Sequence, residues 1–268
     1  MLALPDILRY VMEVSMKTGA YIKQGQKQLD SNDVELKGPQ DFVTKLDKKA
    51  EEVLVDALRI ILPESGFTTE EKMVSQETKE YMWIIDPIDG TSNFIHGIPM
   101  YSISIALQHN HETILGVVYD PSHEECFYAI KGQGAFMNGK PIQVSNKSTF
   151  EQAMLATGFP YAKYEKMDAY LACMKALLQE CRTIRRMGSA ALDLCYVACG
   201  RYEGFFEYGL SIWDIAAGAL IVKEAGGVIS NYQGETEFIF DKELVATNLL
   251  LKDPITQIVQ AHFYENKL

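Results

Sequence analysis

The stretch Trp83–Pro99, WIIDPIDGTSNFIHGIP, decides how the rest of the chain is read. It opens as an apolar run of strand length and ends that run with two carboxylates, Asp86 and Asp89, three residues apart. Pro87 between them suits the first turn of a helix, where a missing N–H costs nothing. Gly90, Thr91 and Ser92 follow as small residues whose backbone N–H groups, at an expected helix start, form a cradle for an anion. Carboxylates repel phosphate, so the two halves conflict unless a divalent cation lies between them. Hard oxygen ligands bind Mg²⁺, and the ion then bridges to phosphate oxygens. Taken alone, Asp86 and Asp89 would serve as well as helix-capping acids.

Other acids extend the pattern. Glu70-Glu71 follow Thr68-Thr69; paired glutamates are usually a solvated face. Asp214 follows Trp213 and opens the apolar helix DIAAGALIVKEAGG, for which it is a good N-cap, with Gly226-Gly227 as the stop. Asp47 lies past Asp41-Phe42-Val43-Thr44, where a first-turn helix acid is ordinary.

Around these acids, apolar spacing predicts a helix over 2–25 and a second from Lys45 to Leu62, stopped by Pro63. Leu29–Gln40 reads as a polar loop and Glu64–Lys79 as a polar, acidic stretch. YMWIID, YSISIALQ, ETILGVVYD and ECFYAI are β-branched and aromatic strands, and Asn138-Gly139 is a strong hairpin signal. After Ser145 the text alternates: helix near 163–180, strand near 182–186, helix near 189–200, strand GFFEY, helix from about 214 to 225, strand GVISN. The pattern is α+β over residues 1–145 and alternating α/β over 146–268, with a seam near 140–155 and no flexible linker.

At 268 residues, 47 % of them hydrophobic, the chain can bury a full enzyme core. It carries 25 Lys+Arg against 36 Asp+Glu, a net charge of −11. That balance disfavours nucleic acid and anionic lipid as partners, and any phosphate substrate then needs local positive charge. The five cysteines form no C-x-x-C pair, and no apolar run nears the ~18 residues of a membrane helix. A reducing, cytoplasmic setting is expected. Cys195 and Cys199 share a helix face, where core packing is expected over a metal site.

Together these segments resemble the inositol monophosphatase family of Mg²⁺-dependent, lithium-sensitive phosphatases. Asp41-Phe-Val-Thr-Lys-Leu-Asp47 is similar to the family's D-x-V-T-x-x-D, Glu70-Glu71 to its paired acids, WIIDPIDGTSNF to its first signature and WDIAAGALIVKEAGG to its second. GQGAFMNGKPIQVS and RRMGSAALDLCYVACGRYEGFFE also match its text, and the order is the family's. Thr68-Thr69 departs from it, because glycine is common before the acid pair.

The resemblance implies a layered αβαβα fold with most metal ligands in 1–145, and with Asp214 and the substrate-recognition residues in 146–268. It implies two or three Mg²⁺ ions held by Glu70, Asp86, Asp89, Asp214 and the backbone carbonyl of Ile88. Glu70 and Glu71 count among its catalytic acids. Thr91, held by Asp47, would position the attacking water. Gly90, Thr91 and Ser92 would hold the phosphate, while Glu207 and Asp214 would meet substrate hydroxyls. Lys37 falls near a basic position of the family loop. The implied reaction is direct attack of water on inositol 1-phosphate or a related sugar or polyol phosphate, by a homodimer. Fructose 1,6-bisphosphate, the 2′-phosphate of NADP(H) and a 3′-phosphonucleotide remain alternative substrates, and a regulatory protein on the same scaffold remains an alternative role.

Other candidates carry less. His109-x-His111 is expected in a solvated turn, and Gly132-x-Gly134 fails as a dinucleotide fingerprint because Met137 stands at its third glycine. Arg182, Arg185 and Arg186 form the clearest basic cluster. Surface ion pairs are its ordinary use; the alternative is that one arginine meets a substrate phosphate or crosses a dimer interface.

Overall fold

Period-two burial in the strands shows how the layers stack. In the strand Tyr81–Asp89 (β4), Trp83 and Ile85 pack into one hydrophobic cluster and Ile84 into another. In the strand Gly204–Tyr208 (β12), Phe205 and Phe206 divide in the same way between two clusters. Both sheets are therefore buried on both faces, which requires helices on either side of each. The structure, a computed structural model, describes residues 3–30, 33–38, 41–159, 166–236 and 242–265, without the side chains of 36–38, 41, 42 and 265. Lys37 is among those side chains, so the expectation for it lies outside what is described.

The first sheet has seven strands in the order β3-β4-β5-β6-β7-β8-β9. They are Gly66–Thr69 (β3), β4, Ser102–His109 (β5), Glu112–Asp120 (β6), Glu125–Ile130 (β7), Ala135–Met137 (β8) and Lys140–Ile142 (β9). β3 runs parallel to β4 and every other pair is antiparallel. One face carries helices Leu4–Gln26 (α1) and Lys45–Ile61 (α2), through Ile7, Val11, Ile22, Leu54 and Leu58. The other face packs on Ala190–Ala198 (α5) and Ile212–Glu224 (α6). The second sheet covers the far side of α5 and α6. It comprises Met154–Thr157 (β10), Thr183–Arg185 (β11), β12, Val228–Ser230 (β13) and Glu243–Thr247 (β14), in the order β11-β10-β12-β14-β13. Its outer face is closed by Met167–Glu180 (α4) and Lys252–Gln260 (α7). The layers run α1α2, sheet, α5α6, sheet, α4α7: the expected αβαβα arrangement.

The middle layer is thin because its helices are built from small residues. Ala216-Ala217-Gly218-Ala219 lets α6 approach β6 so closely that a Cβ on Gly116 would lie 2.8 Å from the Ala217 carbonyl oxygen. The expected hairpin is present: β8 and β9 pair across Asn138-Gly139, both at positive φ (49° and 79°), the turn that matches strand twist.

Three expectations need correction. Leu29–Gln40 is not all loop: Val34–Gly38 (β1) pairs antiparallel with Asp41–Thr44 (β2). Glu64–Lys79 contains β3, whose burial depends on a neighbour far along the chain. Pro87 does not open a helix. It lies inside β4, and the helix that follows, Thr91–Ile95 (α3), is a short one capped by Gly90.

Candidate metal centre and phosphate site

Residues i and i+3 of a flat strand point to opposite faces. Asp86 and Asp89 escape this through an irregularity in β4. Asp86 pairs with Ser104 and Asp89 with Ser102, so three steps on β4 match two on β5. The extra residue is a bulge, and it returns both carboxylates to one side. Pro87 fits there because a bulged residue needs no ladder N–H. The turn closes when Asp86 Oδ1 accepts the Ile88 N–H at 2.9 Å.

The partners arrive from separate elements. β3 lies parallel to β4 with Thr69 opposite Ile85, and Glu70 continues that pairing through its N–H to the Ile85 carbonyl at 3.2 Å. Glu70 is thereby set level with Asp86. Asp214 stands at the third position of α6, where one carboxylate oxygen accepts the Ser211 N–H at 2.6 Å. Ser211 is thus the N-cap, and Asp214 is a capping-box acid instead of the cap expected for it. Ser104, opposite Asp86, donates to the Trp213 carbonyl at 3.1 Å and ties this helix start to the sheet. Oxygens of Asp86, Asp89 and Asp214 all lie within 4.8 Å of one another.

Asp47 fills the third position of α2. Its Oδ2 accepts both the N–H (2.9 Å) and the hydroxyl (2.5 Å) of Thr44, a second capping box. Its Oδ1 lies 3.2 Å from Thr91 Oγ1, which also lies 2.9 Å from the Ile88 carbonyl oxygen. The capping contact and the Thr91 contact of Asp47 use different oxygens. Gly90 holds a left-handed φ of 93°, and a Cβ there would stand 2.9 Å from the Met100 carbonyl oxygen. No other residue type fits that position.

One cleft gathers Glu70, Asp86, Ile88, Asp89, Gly90, Thr91, Ser92, Glu207 and Asp214. Asp47 lies fully buried behind Thr91. Glu71 is not among the lining residues; its N–H is bound from behind, as described below. The acids repel one another. Burial, then the charges of Glu70, Asp89 and Asp214, hold the Asp86 carboxyl well above its ordinary range. Glu70 also shares a hydrogen bond with Asp86, which requires a proton on one of the two. Burial and Asp89 likewise raise Asp214. Asp89 rises only to about 6, because Ser189 Oγ (2.5 Å) and the Ala191 N–H (2.8 Å) donate to it against its burial. Burial pushes Glu207 up to about 8, with Arg186 opposing. A cluster of hard oxygen donors with too little positive charge beside it suits Mg²⁺.

Residues 5–264 match the inositol monophosphatase family. The chain is a member of the inositol monophosphatase family. It is 42 % identical over 241 residues, 90 % of each chain, to the Nus factor SuhB of Pasteurella multocida. It is 36 % identical over 255 residues to the inositol-1-monophosphatase of Mesorhizobium japonicum, 95 % of this chain and 96 % of that one. The crystal structure of extragenic suppressor protein suhB from Bartonella henselae superposes with a TM-score of 0.91 at 36 % identity, covering 95 % of this chain and 98 % of that one.

Two residues of this inositol monophosphatase family member carry little signal in the sequence. Glu51 on α2 is fully buried, and its carboxylate accepts the Thr69 hydroxyl (2.8 Å), the Met73 N–H (2.7 Å) and the Glu71 N–H (2.8 Å). It fixes the backbone on both sides of Glu70. Among the lysines and glutamates of KLDKKAEEV it had no distinguishing signal except its place on the buried face. Ser189 caps α5 and grips Asp89, and its signal was the Ser before an apolar helix. Cys126, Cys173, Cys181 and Cys195 are buried, and Cys199 is partly so; Asp86, Asp89 and Asp214 form the one group with metal-ligand spacing among the described residues.

Proposed function

We propose that the protein is a Mg²⁺-dependent phosphomonoesterase that releases inorganic phosphate from inositol 1-phosphate or a related polyol phosphate by direct attack of water. The observation that carries this is the triad Asp86, Asp89 and Asp214, within 4.8 Å of one another in a cleft shared with Thr91 and Glu207. Glu70, Asp86, Asp89, Asp214 and the Ile88 carbonyl are the proposed ligands. Bound Mg²⁺ would supply charge neutralisation, Lewis-acid polarisation of the phosphoryl group and acidification of water.

The chain's own groups do the rest. Thr91 Oγ1, between the Ile88 carbonyl and Asp47, orients the attacking water, and Asp47 is placed to hold the proton of that hydroxyl. The N–H groups at the start of α3 have no acceptor within the helix and are the proposed donors to the phosphoryl oxygens. Glu207, 8 % exposed and raised to about 8 by burial, is positioned for a hydroxyl of the polyol. No cysteine or serine nucleophile is required, so no covalent phosphoenzyme forms.

A second reading has support in a relative's name. The Pasteurella multocida protein is called a Nus factor, which suggests a regulatory role on the same scaffold. The complete acid set favours retained catalysis alongside any such role. The five free thiols support a reducing, cytoplasmic setting, and among the described residues no helix is long and apolar enough to cross a membrane. A homodimer belongs to the same proposal.

The test is phosphate release from inositol 1-phosphate, fructose 1,6-bisphosphate, NADP and 3′-phosphoadenosine 5′-phosphate, with Mg²⁺, with EDTA and with Li⁺. Mg²⁺-dependent, Li⁺-sensitive release, highest on inositol 1-phosphate, is expected. A folded, Mg²⁺-binding protein that releases phosphate from none of them would contradict the reading and favour the regulatory one.

A further inference from the structure

Helix α3 has only five residues, Thr91–Ile95, and so short a helix does not hold itself. Phe94 N–H donates to the Gly90 carbonyl at 3.0 Å and His96 N–H to the Ser92 carbonyl at 3.2 Å. The direction of its first N–H groups must come from ties to the rest of the protein. One tie reaches its far end: Gln26 Nε2, at the close of α1, donates to the Phe94 carbonyl at 2.7 Å.

Asn93, on α3 itself and 8 % exposed, does more. Its Nδ2 donates to two backbone carbonyls, those of Met100 and Met187, each at 2.7 Å. An amide nitrogen carries two protons, and both are used. The two acceptors belong to different layers. Met100 leads into β5 of the seven-stranded sheet, and Met187 lies between β11 of the five-stranded sheet and α5. Gly90, the N-cap of α3, fills a slot between the same two segments. A Cβ on it would lie 2.9 Å from the Met100 carbonyl oxygen and 3.0 Å from that of Gly188. Asn93, one turn on, grips both walls of that slot.

Both segments then run to Asp89. Two residues past Met100, Ser102 pairs with Asp89 across β4 and β5. Two residues past Met187, Ser189 Oγ donates to Asp89 at 2.5 Å, and Ala191 N–H adds a second bond at 2.8 Å. The Ser102 and Ser189 hydroxyls are themselves 3.3 Å apart. Asn93 does not line the cleft, so it acts through these neighbours. One buried amide thus joins the proposed phosphate donors of α3 to the loop that fixes a proposed metal ligand.

We propose that Asn93 is a positioning residue for phosphate and metal together, its amide keeping the start of α3 in register with the Ser189 grip on Asp89. This rests on the phosphomonoesterase reading above and adds to it how the two parts of the cleft are kept aligned. Without the amide, two buried carbonyls lose their donor and the segments are free to shift.

The experiment compares wild type, Asn93→Leu and Gln26→Leu. Leucine keeps the volume of Asn93 and removes both donors, whereas Gln26→Leu removes a tie to α3 that does not reach Asp89. Calorimetry reads Mn²⁺ binding to the metal-free protein and inorganic phosphate binding to the Ca²⁺-loaded protein. Asn93→Leu should weaken phosphate binding roughly 10- to 100-fold and lower kcat by a similar factor, since a shift of about 1 Å is that costly. Its Mn²⁺ Kd should rise at least about threefold, as expected when the support of a metal ligand is disturbed. Gln26→Leu should lower Tm and leave both Kd values within about threefold of wild type.

An Asn93→Leu variant whose Tm falls while both Kd values hold would overturn the proposal, because the role would be structural only. So would a loss of phosphate binding with Mn²⁺ binding intact, since Asn93 would then not reach Asp89. Equal effects from Gln26→Leu would also overturn it, because any tie to α3 would serve. If Asn93→Leu does not fold, Asn93→Ser, smaller and polar, carries the same measurements and the same outcomes. Binding needs no turnover. A wild type that binds both ions but hydrolyses no ester would fail the phosphatase reading and still let the two Kd values decide Asn93; one that binds neither ion overturns both.

Discussion

Asp89 answers to four neighbours at once. It repels Asp214, accepts from Ser189 and the Ala191 N–H, and shares a face with Asp86. Asp89→Asn removes a ligand charge and keeps the volume. Phosphate release should fall at least roughly 100-fold, while the metal-free protein melts no lower than wild type because a repulsion is gone. Near wild-type turnover would remove Asp89 from the metal site. Glu51 acts one step back, through the Glu70-Glu71 backbone it holds. Glu51→Gln keeps an acceptor and loses a charge. The Mg²⁺ concentration for half-maximal activity should rise roughly 10- to 100-fold with the substrate KM little changed, and the rise in Tm on adding Mg²⁺ should shrink. If KM for substrate rose and the Mg²⁺ requirement did not, Glu51 would not be positioning Glu70.

At the scale of elements, the bulge in β4 is the device that makes a site from two carboxylates three apart. The sequence showed the carboxylates but not the bulge, because a bulge exists only against a partner, here Ser102 and Ser104 on β5. Pro87 is ambiguous for the same reason: its local chemistry suits a first turn or a bulge equally. The long amphipathic helices and apolar strands were legible, since their periodicity lies within one segment. β1, β3, β10 and β14 were not, being short or polar and buried through distant partners. Asp47 and Asp214 were legible as helix-start acids, while the cleft that unites Asp214 with Asp86, with Asp47 behind it, was implied by the family resemblance alone. The close approach of α6 to β6 gives a stability test. Gly116→Ala would drive a Cβ to within 2.8 Å of the Ala217 carbonyl oxygen, backbone against backbone. It should cost about 1–3 kcal/mol and lower Tm by about 2–4 °C for each kcal/mol, with substrate KM unchanged. An unaltered Tm would mean the layers separate more easily than the packing indicates.

For the whole molecule, the site is a store of repulsion inside a protein of net charge −11. Its carboxyls have raised folded-state values, Glu207 from 4.5 to about 8 and Asp89 from 3.8 to about 6. Above their ordinary values the unfolded chain has released these protons and the fold still binds them. The stability they confer is full at low pH and is lost as pH rises through the folded values. The EDTA-treated protein should therefore lose Tm from these groups as pH rises from about 4 to about 8. Millimolar Mg²⁺ should restore it, by more at pH 8 than at pH 6, because binding is linked to proton release. A Tm gain independent of pH would disconnect the carboxylates from the ion.

The central claim is that a bulged strand and the starts of distant elements assemble one divalent-cation site. Its most direct test is anomalous diffraction from crystals soaked in Mn²⁺, which takes the same oxygen ligands as Mg²⁺. The account predicts a peak at coordinating distance, about 2.0–2.3 Å, from carboxylate oxygens of Asp86, Asp89 and Asp214, and no such peak in Asp89→Asn crystals. A strong peak elsewhere, with none between these three residues, would contradict it.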